Sequence, residues 1–440
     1  MKDYLKEIPQ ELQELIGLIS EISAQSNTPA YLVGGIVRDL ILGVNNLDLD
    51  IVVEGDGIKF AESLGMRLKA KVIRHTRFGT ATVEIRRNLK IDPSTSLRVN
   101  GERSRTIDIA SAREECYPEP ACLPSVKSGS VKDDLKRRDF TINAMALSLN
   151  RLERGKIIDF FGGLNDLRDK KVRILHNLSF IDDPTRILRA IRFEQRLKFR
   201  LEAGTLKQLK EAVRLGMLEK VQPQRLRDEL ILILKEKNAA QQLKRLNELA
   251  GLDFINPHLK LSRQAYLLLK SIEKEVALSK NISPLRRHLD IWLVYFMALL
   301  DSLDIGQIRH VFKLYVFRKG EEIRIISFKK TGPRFIRQLC AKVIIPSRLF
   351  KMFDHLSYEV LIMLKAKYRN KFLHKNIDNF LKDFHFIRLH VTGHDLYKLG
   401  VKPGPSYQKI FQKALNAKLD GKVQTKEEEI ELIKKLLNRS

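Results

Sequence analysis

Residues 31–50 read YLVGGIVRDLILGVNNLDLD, and no other stretch constrains the fold as tightly. A short apolar run with strand character ends in Gly34-Gly35. GIVRDLILG then has the spacing of a short helix that closes at Gly43. The chain returns as LDLDIVVEGD, alternating at first and then wholly apolar, which predicts a strand buried on at least one face. Strand, glycine turn, short helix and returning strand together require a sheet with helices packed on it.

The returning strand carries Asp48 and Asp50. Residues two apart on a strand face the same way, so the two carboxylates stand side by side. Like charges this close repel unless a cation sits between them. Hard carboxylate oxygens suit Mg²⁺, which takes one or two carboxylates with phosphate oxygens and water. A turn-to-strand junction with solvated acids carries the same letters. The context points away from it. Glycines at 34 and 35 let a phosphate approach backbone N–H groups at a helix start, and Arg38 follows one turn on. Glycine turn, arginine and acids converge on a triphosphate with Mg²⁺, the requirement of phosphoryl or nucleotidyl transfer. The chain has no Walker lysine motif and no G-x-G-x-x-G, which disfavours a P-loop ATPase and a dinucleotide dehydrogenase.

The remaining pattern divides the 440 residues unevenly. Residues 5–25 predict a lead-in helix and 57–70 another. KVIRH, TATVEIR and RTIDIASA predict strands, with RNLKIDPSTSLRVNGERS between the last two as a mobile basic loop. Residues 116–130 read as irregular. From VKDDLKRRDFTINAMAL onward helical periodicity dominates, with one interruption at GKIIDFFGG (155–163). A mixed α/β head over 1–150 is thus followed by helical segments, which we divide at 151–240, 241–350 and 351–440. VKPGPSYQ (401–408) predicts a corner between helices, and TKEE (425–428) a capping box. Trp292, within IWLVYFMALL, belongs to a core. Lys and Arg total 80 against 53 acids, a net charge of +27, which implies a polyanionic partner such as nucleic acid. Three cysteines supply neither a disulfide framework nor a four-ligand zinc set. The first residues lack the apolar core of a signal peptide and no run reaches a membrane span, so a cytoplasmic location without membrane contact is expected.

The stretch LVGGIVRDLILG, followed by DLD, resembles the signature of the class II tRNA nucleotidyltransferase (CCA-adding enzyme) and bacterial poly(A) polymerase family, within the polymerase-β-like nucleotidyltransferases. Further motifs resemble that family in order: RRDFTINAMA (137–146), IDFFGGLNDL (158–167) and DDPTRILRAIRF (182–193). TGHDLYKLGVKPGP resembles the tail of bacterial members. The resemblance implies an α+β fold: a nucleotidyltransferase head with a mixed or antiparallel sheet, then an all-helical neck, body and tail. It implies Mg²⁺ on Asp48 and Asp50, and nucleotide contacts from Gly34, Gly35, Arg38, Arg138, Asp183, Arg186, Arg189 and Arg192. It also implies a sugar-facing or structural acid at Asp139 and a hydrogen-bonder at Asn143. The family usually carries Glu where Asp182 stands.

The third of these motifs has a chemical logic of its own. Asp183, Arg186, Arg189 and Arg192 follow at steps of three, neighbours on a helix. Cytosine and adenine each present an amino donor beside a ring-nitrogen acceptor; uracil and guanine present an acceptor beside an N–H donor. An Asp only accepts and an Arg only donates. A fixed Asp–Arg pair matches C and A and leaves charged groups unpaired against U and G, at about 1–3 kcal/mol per group. Asp183 and Arg186 can so choose a base without a template, although salt bridges along a solvated helix use the same letters. Asp108, on a neighbouring strand, is either a third carboxylate or a salt-bridge partner of Arg113.

These readings imply an enzyme that adds C and/or A residues from CTP and ATP to the tRNA 3′ end, releasing pyrophosphate. CC-only, A-only and poly(A) addition share the motifs. DLDIVVEGD and RFGTATVEI resemble the tRNA enzymes more than the polyadenylating ones, and ARxExYPEPAxLPSV resembles a subgroup that includes A-adding members. A non-catalytic RNA-binding protein with the same fold is the alternative of a different class. The basic clusters at 313–330 and 365–376 interleave Lys and Arg with aromatics and are candidates for tracking RNA phosphates. Oligomeric state is not encoded in these patterns.

Overall fold

The computed structural model describes residues 4–8, 10–44, 49–76, 79–86, 104–116, 118–122, 124–279 and 289–438. The expected basic loop between TATVEIR and RTIDIASA lies outside them, as does Asp48. The chain forms two compact units, Met1–Gln222 and Pro223–Ser440.

The first unit is built on β1 (Ala30–Val33), β2 (Leu49–Val53), β3 (Lys71–His75), β4 (Thr80–Arg86), β5 (Ser104–Ser111), β8 (Met145–Ser148) and β9 (Ile157–Asp159). They form one mixed sheet in the order β3-β4-β5-β2-β1-β8-β9. β2 and β5 run parallel, and the other neighbours are antiparallel. A separate hairpin pairs β6 (Arg113–Cys116) with β7 (Ser125–Ser128). Alternation along β2 sets its two faces: Leu49, Ile51 and Val53 are buried on one, while Asp50 is exposed and Val52 buried on the other. Val52 joins a core cluster with Val131 and Leu135 of helix α4 (Val131–Lys136).

Helices α1 (Gln10–Gln25) and α3 (Gly57–Leu68) pack together on the sheet. The Asp56 carboxylate accepts from the N–H groups of Ile58 and Lys59 and starts α3, and left-handed Lys69 ends it. Phe60, Ala61, Leu64 and Leu68 are its buried stripe. Each large side chain among them contributes about 1.5–3 kcal/mol, and Leu64→Ala would cost about 2–5 kcal/mol. The short helix after the glycine turn is α2 (Gly35–Ile41), followed by Gly43 at positive φ.

Two sequence expectations are corrected. Residues 125–128, read as irregular, form β7, whose side chains are exposed and carry no apolar alternation. Residues 145–148, read as helical, form β8 between β1 and β9. All four are buried, and a short unbroken apolar run has no period with which to separate strand from helix. The chain continues through α5 (Gly163–Arg168), β10 (Lys171–Val172), α6 (Ser179–Asp182), α7 (Thr185–Leu197), β11 (Arg200–Leu201) and α8 (Ala203–Arg214), with β10 and β11 paired in parallel.

The second unit is helical throughout its described residues. Helix Ile291–Leu299 is apolar on every side and forms the centre, packed by helices Pro223–Leu234, Arg263–Ser279 and Tyr358–Lys367. Trp292 is buried there and stacks on Phe317 at 6.0 Å between ring centroids. Helices Gly393–Lys398, Pro405–Leu419 and Lys426–Leu437 make a separate apolar cluster around Leu396, Ala414 and Ile433. Thr425 and Glu428 form the expected capping box. Among the described residues no helix is long and apolar enough to cross a membrane.

Candidate active site

The pairing of β2 with β5 brings two acids together. Asp50 is the register partner of Asp108, and Asp108 is the partner of Thr82 on β4. Register partners share a face, so the three polar side chains line one row across the sheet. The Thr82 hydroxyl donates to Asp108 Oδ1 over 2.7 Å. With that proton committed, only a protonated Nε2 of His75 can donate to Thr82 Oγ1, 3.4 Å away. Arg113 pairs with Glu115 at 2.9 Å, so the alternative of an Asp108–Arg113 salt bridge gives way to the Thr82 contact.

This row forms part of a cleft of 380 Å³ that Arg137 and Arg138 also line. Both arginines are positioned by Asp134, which is fully buried on α4. Asp134 Oδ1 accepts from Arg137 at 2.6 and 2.9 Å, and Oδ2 accepts from Arg138 at 2.9 Å. Arg137 also donates to Glu115 at 3.1 Å. Asp134 escaped sequence reasoning, although its spacing of three and four from the arginines on a helix was a usable signal. Gly34 has φ +76, and a Cβ there would lie 2.6 Å from Arg138 Nη1. The glycine therefore both makes the turn and gives the guanidinium its place. Gly35 is the first residue of α2.

The basic end of α7 approaches the same segment. Arg186 is buried; it donates to Ser179 Oγ at 2.7 Å and to the Arg137 carbonyl at 2.7 Å. Asp183 Oδ1 accepts from the Thr185 N–H at 3.1 Å and from its hydroxyl at 2.6 Å, opening α7. Arg189 donates to buried Asp139 Oδ2 at 2.6 and 2.9 Å, and Asn143 donates to Asp139 Oδ1 at 2.9 Å. Burial alone would raise the Asp139 carboxyl; the Arg189 charge and these hydrogen bonds outweigh it and hold it below the ordinary carboxylate range.

Arg38, expected at a phosphate, is buried and turned inward. It donates to Asp39 at 2.8 Å and to Asn143 Oδ1 at 2.6 Å. Its guanidinium lies 5.2 Å from the Phe193 ring, as does that of Arg192, with Arg189 at 5.8 Å. Phe193 thus gathers three arginines by cation–π contact, a role its apolar helical spacing did not reveal.

Among the described residues no group of three or more His, Cys, Asp or Glu is placed to hold a metal. Asp50 and Asp108 supply two hard oxygen donors on one face of the sheet, which fit a divalent cation whose other ligands are phosphate oxygens and water.

Two family models match the chain: the Poly A polymerase head domain over residues 30–173, and the "Probable RNA and SrmB- binding site of polymerase A" over 198–262. The A-adding tRNA nucleotidyltransferase of Geobacter sulfurreducens is 36% identical over 98% of this chain, and the chain spans 48%, about half, of that protein's length. The A-adding tRNA nucleotidyltransferase of Halalkalibacterium halodurans is 30% identical, covering 97% of this chain and 92% of its own. The solved structure of the Thermotoga maritima CCA-adding enzyme complexed with tRNA CCA aligns with a TM-score of 0.69 at 32% identity, covering 99% of this chain and 97% of that one.

Proposed function

The chain belongs to the tRNA nucleotidyltransferase family that carries the poly(A) polymerase head domain, and on that premise we propose that it adds C and A residues from CTP and ATP to the 3′ end of tRNA. One observation carries the reading. Asp50 and Asp108 share a cleft with Arg137 and Arg138, and α7, the helix with base-reading chemistry, is tied to that cleft through Arg186 and the Arg137 carbonyl.

In this reading the triphosphate lies between the acid row and Arg138, over Gly34. Asp48 and Asp50, assisted by Asp108, would hold Mg²⁺, which would supply polarisation of the α-phosphate and charge neutralisation for pyrophosphate. Thr82 fixes one oxygen of Asp108, leaving the other toward the attacking 3′-hydroxyl. That hydroxyl forms the new P–O bond in line with the one to pyrophosphate, which breaks. Asp183 accepts from the amino group of cytosine or adenine while Arg186 donates to the adjacent ring nitrogen; Arg189 and Arg192 flank the nucleotide. Arg38 acts at one remove, bracing α2 against Asn143 and Phe193. The free Cys116, Cys122 and Cys340 suit the reducing cytoplasm.

A-only addition is the second reading, favoured by the Geobacter and Halalkalibacterium relatives, both A-adding tRNA nucleotidyltransferases. Full-length protein incubated with tRNA transcripts ending before CCA or after CC, and with each NTP singly, separates the two. Extension of both transcripts supports CCA addition; extension of the CC-ending one alone supports A addition. Extension of neither overturns both.

A further inference from the structure

The sheet order lays the reaction out along one line. From β1, which ends just before Gly34, the strands run β2, β5, β4 and β3, four spacings or about 19 Å. Arg138 stands by Gly34 at one end, and Asp50 and Asp108 follow on β2 and β5. Thr82 comes next on β4, and His75 on β3 closes the cleft at the other end. Attacking and leaving oxygens lie on opposite sides of the α-phosphorus in an in-line displacement. With the pyrophosphate toward Arg138, the nucleotide that carries the attacking hydroxyl lies over β5 and β4. The phosphodiester that joins it to the rest of its strand then falls toward β3.

That phosphodiester is an anion approaching a row of acids, so it needs a donor of its own there. His75, Arg137 and Arg138 are the nitrogen donors among the described side chains lining the cleft, and Asp134 holds both arginines at the far end from β3. The other basic side chains of β3 are engaged elsewhere. Arg74 belongs to the opposite face and pairs with Glu62 at 2.6 Å, and Lys71 pairs with Glu84 at 3.6 Å. The His75 side chain is exposed, with Nε2 3.4 Å from Thr82 Oγ1. Its Nδ1 has no partner among the described residues. An imidazolium donates from both ring nitrogens, to Thr82 through Nε2 and to a phosphate oxygen through Nδ1, and the anion itself favours that charged form.

We propose that His75 holds the last phosphodiester of the acceptor strand, the one joining its two terminal nucleotides, and so brings the 3′-hydroxyl against Asp108. This contact presupposes the function proposed above. It gives the acceptor strand a donor distinct from the arginines assigned to the NTP.

The test uses the full chain, ATP and three acceptors. The first is a tRNA ending in CC, the substrate shared by CCA and A-only addition. The second carries a neutral methylphosphonate between its two terminal C residues, and the third a 2′-deoxy terminal C. Wild type should lose about tenfold in kcat/KM on the methylphosphonate acceptor, the value of one charge-assisted hydrogen bond. His75→Ala should lose about tenfold on the natural acceptor and little more on the methylphosphonate, since both changes remove the same bond. Its KM for ATP should move by about twofold or less. His75→Gln, which keeps one N–H donor, should fall between the two proteins. Losses that multiply to about a hundredfold when the variant meets the methylphosphonate overturn the contact, because the two groups then act independently. Unaltered kcat/KM in His75→Ala overturns it too, and so does a loss shared with the 2′-deoxy acceptor in place of the methylphosphonate. Each of these leaves an active enzyme and the proposed function standing. A wild type that extends no acceptor overturns the proposed function and the contact with it.

Discussion

Arg186 Nη2 donates to the backbone carbonyl of Arg137 across 2.7 Å. The bond joins the helix with base-reading chemistry to the segment whose side chains line the acid cleft. Arg186 is buried, so its guanidinium cannot leave without stranding that carbonyl. In the proposed reading, the distance between the place for a base and the place for its phosphates is thereby set by the fold.

The acid row makes the first prediction. Asp50→Ala is expected to lower incorporation by about a thousandfold or more while tRNA affinity stays within twofold. Chelation of divalent cations should have the same two effects on wild type. Single-turnover incorporation and filter binding give the two readouts, and an active Asp50→Ala protein would remove the acid from the mechanism.

Thr82 positions Asp108 through one hydrogen bond. Thr82→Val deletes the donor at nearly constant volume and should reduce kcat by about ten- to a hundredfold, from the 1.5–3 kcal/mol of a bond to a charged group. KM for the NTP should hardly move, and Thr82→Ser should restore the rate. A purely structural role predicts a lower melting temperature with an unaltered kcat.

Asp183 has two duties that separate in measurement. Asp183→Ala removes the acceptor that opens α7, at about 1 kcal/mol of stability. If it also reads the base, discrimination of ATP and CTP against UTP and GTP falls by about ten- to a hundredfold. Melting temperature reports the first and competitive incorporation the second; unchanged discrimination leaves Asp183 as a cap alone.

Acid stability tests Asp139. Its folded pKa lies below the unfolded value because Arg189 and the hydrogen bonds from Asn143 and Arg189 overcome burial. The unfolded chain thus binds the proton first as pH falls. The contribution is whole above the unfolded value, about 4, and is lost as pH drops through the lower folded one. Asp139→Asn should lower stability at pH 7 by about 3 kcal/mol, by breaking a buried pair. It should also flatten the acid side of the melting profile below about pH 4. A parallel profile would contradict the assignment.

Much of the first unit is legible in the letters. β2 announces itself by alternation, α3 reads as a helix over 57–70, and the glycine turn shows by its position between strand and helix. β8 is not legible, because a buried central strand has no polar face to give it a period. The expected site residues divide for a physical reason. Asp50 and Arg138 reach the cleft, whereas Arg38 carries the same guanidinium but turns inward, since Asp39, Asn143 and Phe193 together can desolvate it. Which arginine meets solvent depends on partners far apart in the chain. Asp134, which holds both cleft arginines, looks like any acid at a helix start until the fold buries it.

The most direct measurement is a crystal structure of the full chain with ATP and Mg²⁺. The account predicts a triphosphate between Asp50 and Arg138, with the adenine pairing edge against Asp183 and Arg186. A nucleotide bound with its phosphates away from Asp50, or with its base out of reach of α7, would contradict it.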